Sequence, residues 1–372
     1  MKPENWLSKI KASGREHVML IADRPGAVRP REEFDLGRLD CYIKAIDPTL
    51  EGEPKSYQFS GGASNLTYLV SYPNRDLILR RPPFGRKAKS AHDILREAAL
   101  LQAIRPVFPY VPAIIATCDD ETVIGAPFAV MERLIGFIPR HDLPEGMSLS
   151  PEQAHRLCLN MTDRLIELHA IDPHSVGLGG LGKGQGYVRR QIEGWSARLR
   201  DARTPDTADF ESVMAWLAAA EPAERATRLI HNDYKMDNIV FSPADPAAIV
   251  GVLDWEMATL GDPLMDLGSA LAYWVQADDD DEIQAIRRQP SHLPGMMSRD
   301  EIVEYYCKKT GICLDRFDFY LIFGTFRLAV IAQQIYARYC AGHAANPDFA
   351  GFGHAVNVLE RRCLSLIAQA GR

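Results

Sequence analysis

The segment His231-Asn232-Asp233-Tyr234-Lys235-Met236-Asp237-Asn238 holds the side chains best suited to chemistry. Arg228-Leu229-Ile230 precedes it and Ile239-Val240-Phe241 follows, so the pattern predicts a loop between two short strands. Asp233 offers a carboxylate that can orient a hydroxyl and take its proton. Asn238 offers a neutral oxygen, the hard ligand type that Mg²⁺ prefers. Lys235 is placed to neutralise charge on a transferring phosphoryl group. With His231 the spacing is H-x-D-x-x-x-x-N, which points to phosphoryl transfer.

A lone His-x-Asp would carry little, because a buried histidine beside a capping aspartate is common. The second segment, VGVLDWEMATLGDPLMDLG, adds weight. Asp254 ends an apolar run and is a further candidate Mg²⁺ ligand. Asp262 and Asp266 follow in the pattern G-D-P-x-x-D. Upstream, Ser60-Gly61-Gly62-Ala63-Ser64-Asn65 lies inside a predicted hairpin. Glycines there would let backbone N–H groups approach phosphate oxygens; alone, Gly61-Gly62 would read as a turn or bulge.

The elements that must position these residues change character along the chain. Asp35 is a candidate cap for a helix with Leu36, Leu39, Ile43 and Ile46 on its apolar face. From Tyr57 the texture is strand-like: YQFSGGASNLTYLVSY, a turn at 72–76, then LILRR. SAHDILREAALLQAI predicts a helix with Ile94, Ala98, Leu101 and Ile104 as its buried stripe. VPAIIATCDD and APFAVMERLIG read as two further strands. After Gly136 helices dominate, from Pro151 to His169 and in LIFGTFRLAVIAQQIYARYC and HAVNVLERRCLSLIAQA. Asp278 to Glu282 reads as a solvated loop or helix start.

Composition sets limits. The chain has 372 residues, 47% apolar and 24% charged, with a formal charge of −7. That is enough apolar material for a large core, and no basic excess for sequence-independent nucleic-acid binding. No apolar run is expected to span a bilayer, and the N-terminus lacks a signal-peptide stretch. The seven cysteines show no C-x-x-C spacing, which reads as reduced thiols and a cytoplasmic location. Gly177 to Gly184 nearly spells a phosphate-binding G-x-x-x-x-G-K-[ST] loop, but Gly184 stands where Ser or Thr is required.

The paired motifs resemble the aminoglycoside phosphotransferase and choline kinase superfamily. The resemblance runs from about Phe59 to the C-terminus. It implies an α+β, protein-kinase-like two-lobed fold, with a β-rich N-lobe and a mostly helical C-lobe. The expected divisions are 1–55 as an extension packing on the small lobe, 56–132 as the N-lobe with the glycine-rich loop and hinge, and 133–372 as the C-lobe. ATP with Mg²⁺ is expected in the cleft between the lobes. By the resemblance Asp233 is the base, with Lys235 and His231 in the catalytic set. Asn238 and Asp254 are the metal ligands, and Asp266 is mainly structural. Gly61, Gly62, Ser64 and Asn65 match the phosphate loop. Arg80 matches the phosphate-binding lysine and Glu97 its ion-pair partner; Glu132 and Leu134 lie in the hinge. Arg81, on the opposite strand face, is the alternative to Arg80. Asp254-Trp255-Glu256 stands where protein kinases carry D-F-G.

FSGGASNLTYLV, LILRRPPFG, GYVRRQIEGW and FRLAVIAQQIYARY resemble the phosphotransferase domain associated with acyl-CoA dehydrogenases. That implies hydroxyacyl-thioesters or hydroxy acids as acceptors, and a functional link to such a dehydrogenase. An amino alcohol or aminosugar acceptor, and a non-catalytic nucleotide-binding scaffold, are the competing readings. Arg327, Gln334 and Arg338 fall on one helical face. They would either form a solvated stripe or line an acceptor pocket for an anionic substrate. Tyr187, Arg190 and Trp195 are candidates for the same pocket or for plain core.

Overall fold

A computed structural model describes residues 25–371 except 60–64, 84–88, 224, 226, 313, 315 and 345. The chain divides into two compact units. One comprises the described residues up to Ile138 together with Ile239–Glu256; the other comprises Pro139–Asn238 and the chain from Met257 onward.

The first unit is built on a five-stranded antiparallel sheet. Its strands are β1 (Lys55–Gln58), β2 (Leu66–Ser71), β3 (Asp76–Arg81), β4 (Ile114–Cys118) and β5 (Phe128–Glu132), in the order β1-β2-β3-β5-β4. Side chains alternate across a strand, so each face needs its own cover. On one face Tyr68, Val70, Leu77, Leu79, Phe128 and Val130 pack with Leu39 and Ile43 of α1 (Leu36–Ile46). Asp35 caps that helix by accepting from the Arg38 N–H, while Ile46, expected on its buried face, is 48% exposed. On the other face Ile78, Ala129 and Met131 meet Ile94 and Ala98 of α2 (Lys89–Ile104), and the short α3 (Glu121–Ile124) links β4 to β5. Arg80 shares the parity of Ile78 and looks toward α2; Arg81 lies on the α1 side.

Within 133–372, expected as a helical lobe interrupted by β runs, one β ribbon stands apart from the helices. Ile239–Phe241 and Ile249–Val252 pair as an antiparallel ribbon and belong to the first unit. Two tertiary ties draw them there. Phe137 and Phe241 exchange N–H···O bonds of 3.0 and 2.8 Å, and the Val252 N–H donates to the Tyr110 carbonyl at 2.6 Å. Gly251 keeps that crossing close: a Cβ there would lie 3.2 Å from the Tyr110 carbonyl oxygen and would displace the Leu134 side chain.

The second unit is mostly helical. Its long members are α4 (Pro151–Ala170), α5 (Tyr187–Asp201), α7 (Pro263–Ala272), α9 (Arg299–Thr310), α10 (Asp318–Cys340) and α11 (Phe352–Ala370), with α6 (Glu211–Ala219) and α8 (Asp281–Ala285) between them. Ser150 opens α4 with a reciprocal capping box to Gln153. A ribbon of Arg228–Ile230 with Thr259–Gly261 carries the loop 231–238. Against the expectation of no spanning run, α10 is long and apolar enough to cross a membrane by length and composition; 67% of that stretch is buried inside the fold. It is the core helix of this unit. It crosses α7 at Gly268 and Gly324, where a Cβ on either would meet backbone oxygen of the partner helix at 2.2 Å. Asp278, Asp280, Asp281 and Glu282 of the acidic run are exposed and Asp280 caps α8, as expected, while the Asp279 carboxylate turns inward and holds Arg299 at 2.7 Å and Arg362 at 2.9 Å.

Candidate active site

In the second unit the loop 231–238 is shaped from behind by Asp266. This carboxylate, 1% exposed, accepts from the backbone N–H of His231 at 2.8 Å and of Asn232 at 2.7 Å. His169 Nε2 lies 3.1 Å away, and the Tyr306 hydroxyl is 2.7 Å from His169 Nδ1. Burial pushes the Asp266 carboxyl up, but the His169 bond, the His169 and His231 charges and the His231 N–H outweigh it, so the pKa is lowered. Asn232 sits in the left-handed region at φ +65°, a conformation Asn tolerates better than most residues. Its side chain accepts from the Tyr187 hydroxyl at 3.1 Å and donates to the Met257 carbonyl at 3.0 Å. The turn so fixed presents Asp233.

Asp233 is gripped from two sides. Lys235 Nζ reaches its oxygens at 2.9 and 2.8 Å. Asn238 Nδ2 donates to its carbonyl and to Oδ2, both at 2.8 Å. The Asn238 amide nitrogen is thereby committed to Asp233, and its Oδ1 is directed elsewhere. Burial opposes the Lys235 charge, yet Tyr273 and Asp233 outweigh it and hold the ammonium above its ordinary pKa. The ammonium also lies 4.9 Å from the centroid of the Tyr273 ring. His231 is fully buried and accepts the Asp233 N–H at 3.2 Å. Its ring thus braces the loop from inside. Sequence reasoning passed over Asp237, whose carboxyl burial pushes up against the pull of Lys235, Arg140 and Arg288.

In the first unit Arg80 bonds Glu97 at 2.5 Å and Asp254 at 3.2 Å. Arg81 turns to the carbonyls of Pro82 and Ile124, so Arg80 is the residue that meets Glu97. Burial pushes the Glu97 carboxyl up, with Arg80 and the Trp255 N–H pulling back. For Arg80, Glu97, Asp254 and Glu256 outweigh burial and raise its pKa further. Asp254 has φ +66°. A non-glycine residue in that region is strained, and such strain clusters at functional sites. Glu256, given no role of its own in the Asp254-Trp255-Glu256 segment, takes a bond from Asn65 Nδ2 at 3.2 Å, and its carbonyl accepts from Arg96 at 2.5 Å. Asn65 is the one expected phosphate-loop residue in view; Gly61, Gly62 and Ser64 lie outside the described residues. Glu132 spends its carboxylate on the Ala113 N–H and Arg105, and Leu134 covers Gly251.

The substrate-face residues separate. Arg327 is 3% exposed, Gln334 is partly buried, and Arg338 is exposed and bonds back to the Gln334 carbonyl. Of the α5 candidates, Tyr187 and Trp195 are buried, while Arg190 folds onto the carbonyls of Gly184 and Gln185.

A family model described as the phosphotransferase enzyme family matches residues 57–302. The chain belongs to that family. Among its relatives is acyl-CoA dehydrogenase family member 10 of Mus musculus, 33% identical over 348 residues, which are 93% of this chain and 32% of that protein. This chain spans between 32% and 45% of the length of the curated relatives it matches. A crystal structure from Ralstonia eutropha, classed with the aminoglycoside phosphotransferases, is similar with 28% identity and a TM-score of 0.77, covering 91% of this chain and 99% of that one. An aminoglycoside phosphotransferase solved with AMP-PNP and hygromycin B shares the fold, at 13% identity and a TM-score of 0.54 over 89% of this chain and 97% of that one. The fold is therefore α+β and protein-kinase-like, and the family is one of small-molecule kinases.

Proposed function

We propose that this phosphotransferase-family chain moves the γ-phosphoryl group of ATP onto a hydroxyl of a small molecule. The grip on Asp233 carries the proposal. A carboxylate aimed by Lys235 and by the Asn238 amide, on a loop pinned through Asp266, is prepared to orient an attacking hydroxyl. In the proposed step the acceptor oxygen bonds to the γ-phosphorus as the bond to the leaving oxygen of ADP breaks. The hydroxyl proton passes to Asp233, and Lys235 balances charge on the transferring group. His231 acts as a positioning residue.

The residues present suit Mg²⁺. Among the described residues no three His, Cys, Asp or Glu gather as a cage, and Mg²⁺ in kinases needs none, binding one or two protein oxygens plus phosphates. Asn238 Oδ1 and the Asp254 carboxylate would be those oxygens, and the bound ion would offset phosphate charge. Arg80, held by Glu97, would serve phosphate as a planar fork. Asn65 with Gly61, Gly62 and Ser64 would supply phosphate contacts, and the backbone of Glu132 to Leu134 would meet adenine.

For the acceptor, the likeness to acyl-CoA dehydrogenase family proteins supports a hydroxyacyl-CoA or hydroxy acid, and a dehydrogenase partner. The scheme suits a cytoplasmic enzyme. The test is ADP release with MgATP over hydroxyacyl-CoAs, hydroxy acids, amino alcohols and aminosugars. Stimulation by the first two groups is expected. Stimulation by amino alcohols or aminosugars alone would replace the acceptor class. Tight ATP binding with no acceptor-dependent ADP release would move the reading to a non-catalytic scaffold.

A further inference from the structure

Arg327 lies inside the second unit with no carboxylate partner among the described residues. It is 3% exposed on α10. Its guanidinium carbon stands 5.0 Å from the centroid of the Trp195 ring, whose other cationic neighbour, Arg198, is at 4.7 Å. Its one hydrogen-bond contact among the described residues is Met257 Sδ at 3.5 Å, and no carboxylate among them pairs with it. Arg80 and Arg299, also largely buried, both hold carboxylates. A thioether is a weak acceptor, and a buried guanidinium without an anion is costly. An α10 that served packing alone would do better with a leucine at this position.

Its surroundings lead to the reacting loop. The Arg327 charge bears on the Tyr187 and Tyr273 hydroxyls, opposing the upward push of burial on both. Tyr187 bonds Asn232 at 3.1 Å; Tyr273 carries Lys235 on its ring at 4.9 Å, and Lys235 holds Asp233 at 2.8 Å. Met257, the side chain that the guanidinium touches, is 37% exposed. Arg327 is thus one movable side chain below the surface, beside the loop that bears the proposed base.

We propose that Arg327 is the anion-binding residue of the acceptor site, and that the hydroxyl-bearing substrate is a free carboxylate. Its carboxylate takes the place of the Met257 sulfur and is held by the guanidinium fork. This deepens the kinase reading and rests on it. A guanidinium at this position disfavours a quaternary or primary ammonium acceptor, because like charges repel. Arg338, exposed on the same helix, has no part in the site.

The experiment uses 2-, 3-, 4- and 5-hydroxyhexanoate, each as the acid and as its methyl ester, with choline as a cationic probe. Calorimetry with the wild-type chain reads binding apart from turnover; ADP release with MgATP reads transfer. We expect at least one acid to bind about a hundredfold tighter than its ester, the loss of a charge-assisted hydrogen bond in a buried site being of that order. In Arg327→Gln the acid-to-ester ratio should fall to within about threefold, with the acid KM raised and the ATP KM unchanged. Arg327→Lys should recover part of the ratio. Acid binding that depends on Arg327 without any ADP release would sustain this site and end the kinase reading. ADP release with an acceptor of any charge and an unaltered ratio in Arg327→Gln would end this proposal and leave the kinase reading standing. If Arg327→Gln does not fold, equal wild-type binding of every acid and its ester, or no binding of any acid, overturns the proposal by itself.

Discussion

Replacing Asp266 by asparagine tests how the reacting loop is held. The carboxylate meets three donors: the N–H groups of His231 and Asn232 at 2.8 and 2.7 Å and His169 Nε2 at 3.1 Å. Asparagine keeps one acceptor oxygen and sets an amide N–H₂ against one of those N–H groups. A hydrogen bond to a charged group is worth about 1.5–3 kcal/mol, and a buried N–H left without a partner costs about 1–3 more. The expected destabilisation is therefore about 3–5 kcal/mol, a fall in Tm of about 6–20 °C for a unit of this size. Because the folded-state pKa of Asp266 is lowered, its contribution is complete above the ordinary carboxylate value and is lost as pH falls through the folded value. Wild type should thus lose stability below about pH 4 more steeply than Asp266→Asn. The assay is thermal unfolding followed by circular dichroism from pH 3 to 7. A Tm within about 2 °C of wild type at pH 7, with the same acid limb, would refute the idea that Asp266 fixes the loop.

Further expectations concern the first unit and the helix crossing. Arg80→Met should destabilise by about 3–5 kcal/mol by stranding Glu97, and Arg80→Met combined with Glu97→Leu should recover most of that; equal urea midpoints for wild type and the single variant would contradict it. Arg80→Lys keeps the charge but cannot fork between Glu97 and Asp254, so the ATP KM should rise about tenfold or more; an unchanged KM would remove Arg80 from the nucleotide site. Gly324→Ala forces a Cβ to 2.2 Å from the Gly268 carbonyl, with an expected loss of about 3 kcal/mol in urea unfolding; a neutral result would mean that α7 and α10 part at little cost.

The loop 231–238 was legible because its chemistry is local: His231, Asp233, Lys235 and Asn238 lie within one turn of chain, and the bonds that join them span five residues or fewer. The antiparallel strands and the α2 stripe were legible for a similar reason, since periods of two and 3.6 are written in sequence. Glu256 was not, because its partners Asn65 and Arg96 are 191 and 160 residues away. The strand parity that separates Arg80 from Arg81 was visible, but which face meets Glu97 depends on where α2 packs. The strand character of Ile239–Phe241 and Ile249–Val252 was visible, but the expected division sets both in the span 133–372 and not with the first unit. Their attachment is decided by Phe137 and Tyr110, contacts that no local pattern predicts. Helical spacing put Arg327, Gln334 and Arg338 on one face, yet spacing says nothing of where along a 23-residue helix the cover ends; α5 covers Arg327 through Trp195 and leaves Arg338 in solvent.

The most direct test of the account is single-turnover phosphoryl transfer by Asp233→Asn, measured with MgATP and the best acceptor of the wild-type chain. Asparagine preserves the shape of the side chain but cannot take the hydroxyl proton. The account predicts a rate at least about a thousandfold lower, within the range removable with a general base, and ATP affinity within about threefold of wild type. Transfer at a tenth of the wild-type rate or more, in a variant that still binds ATP, would contradict the assignment of Asp233 as the base.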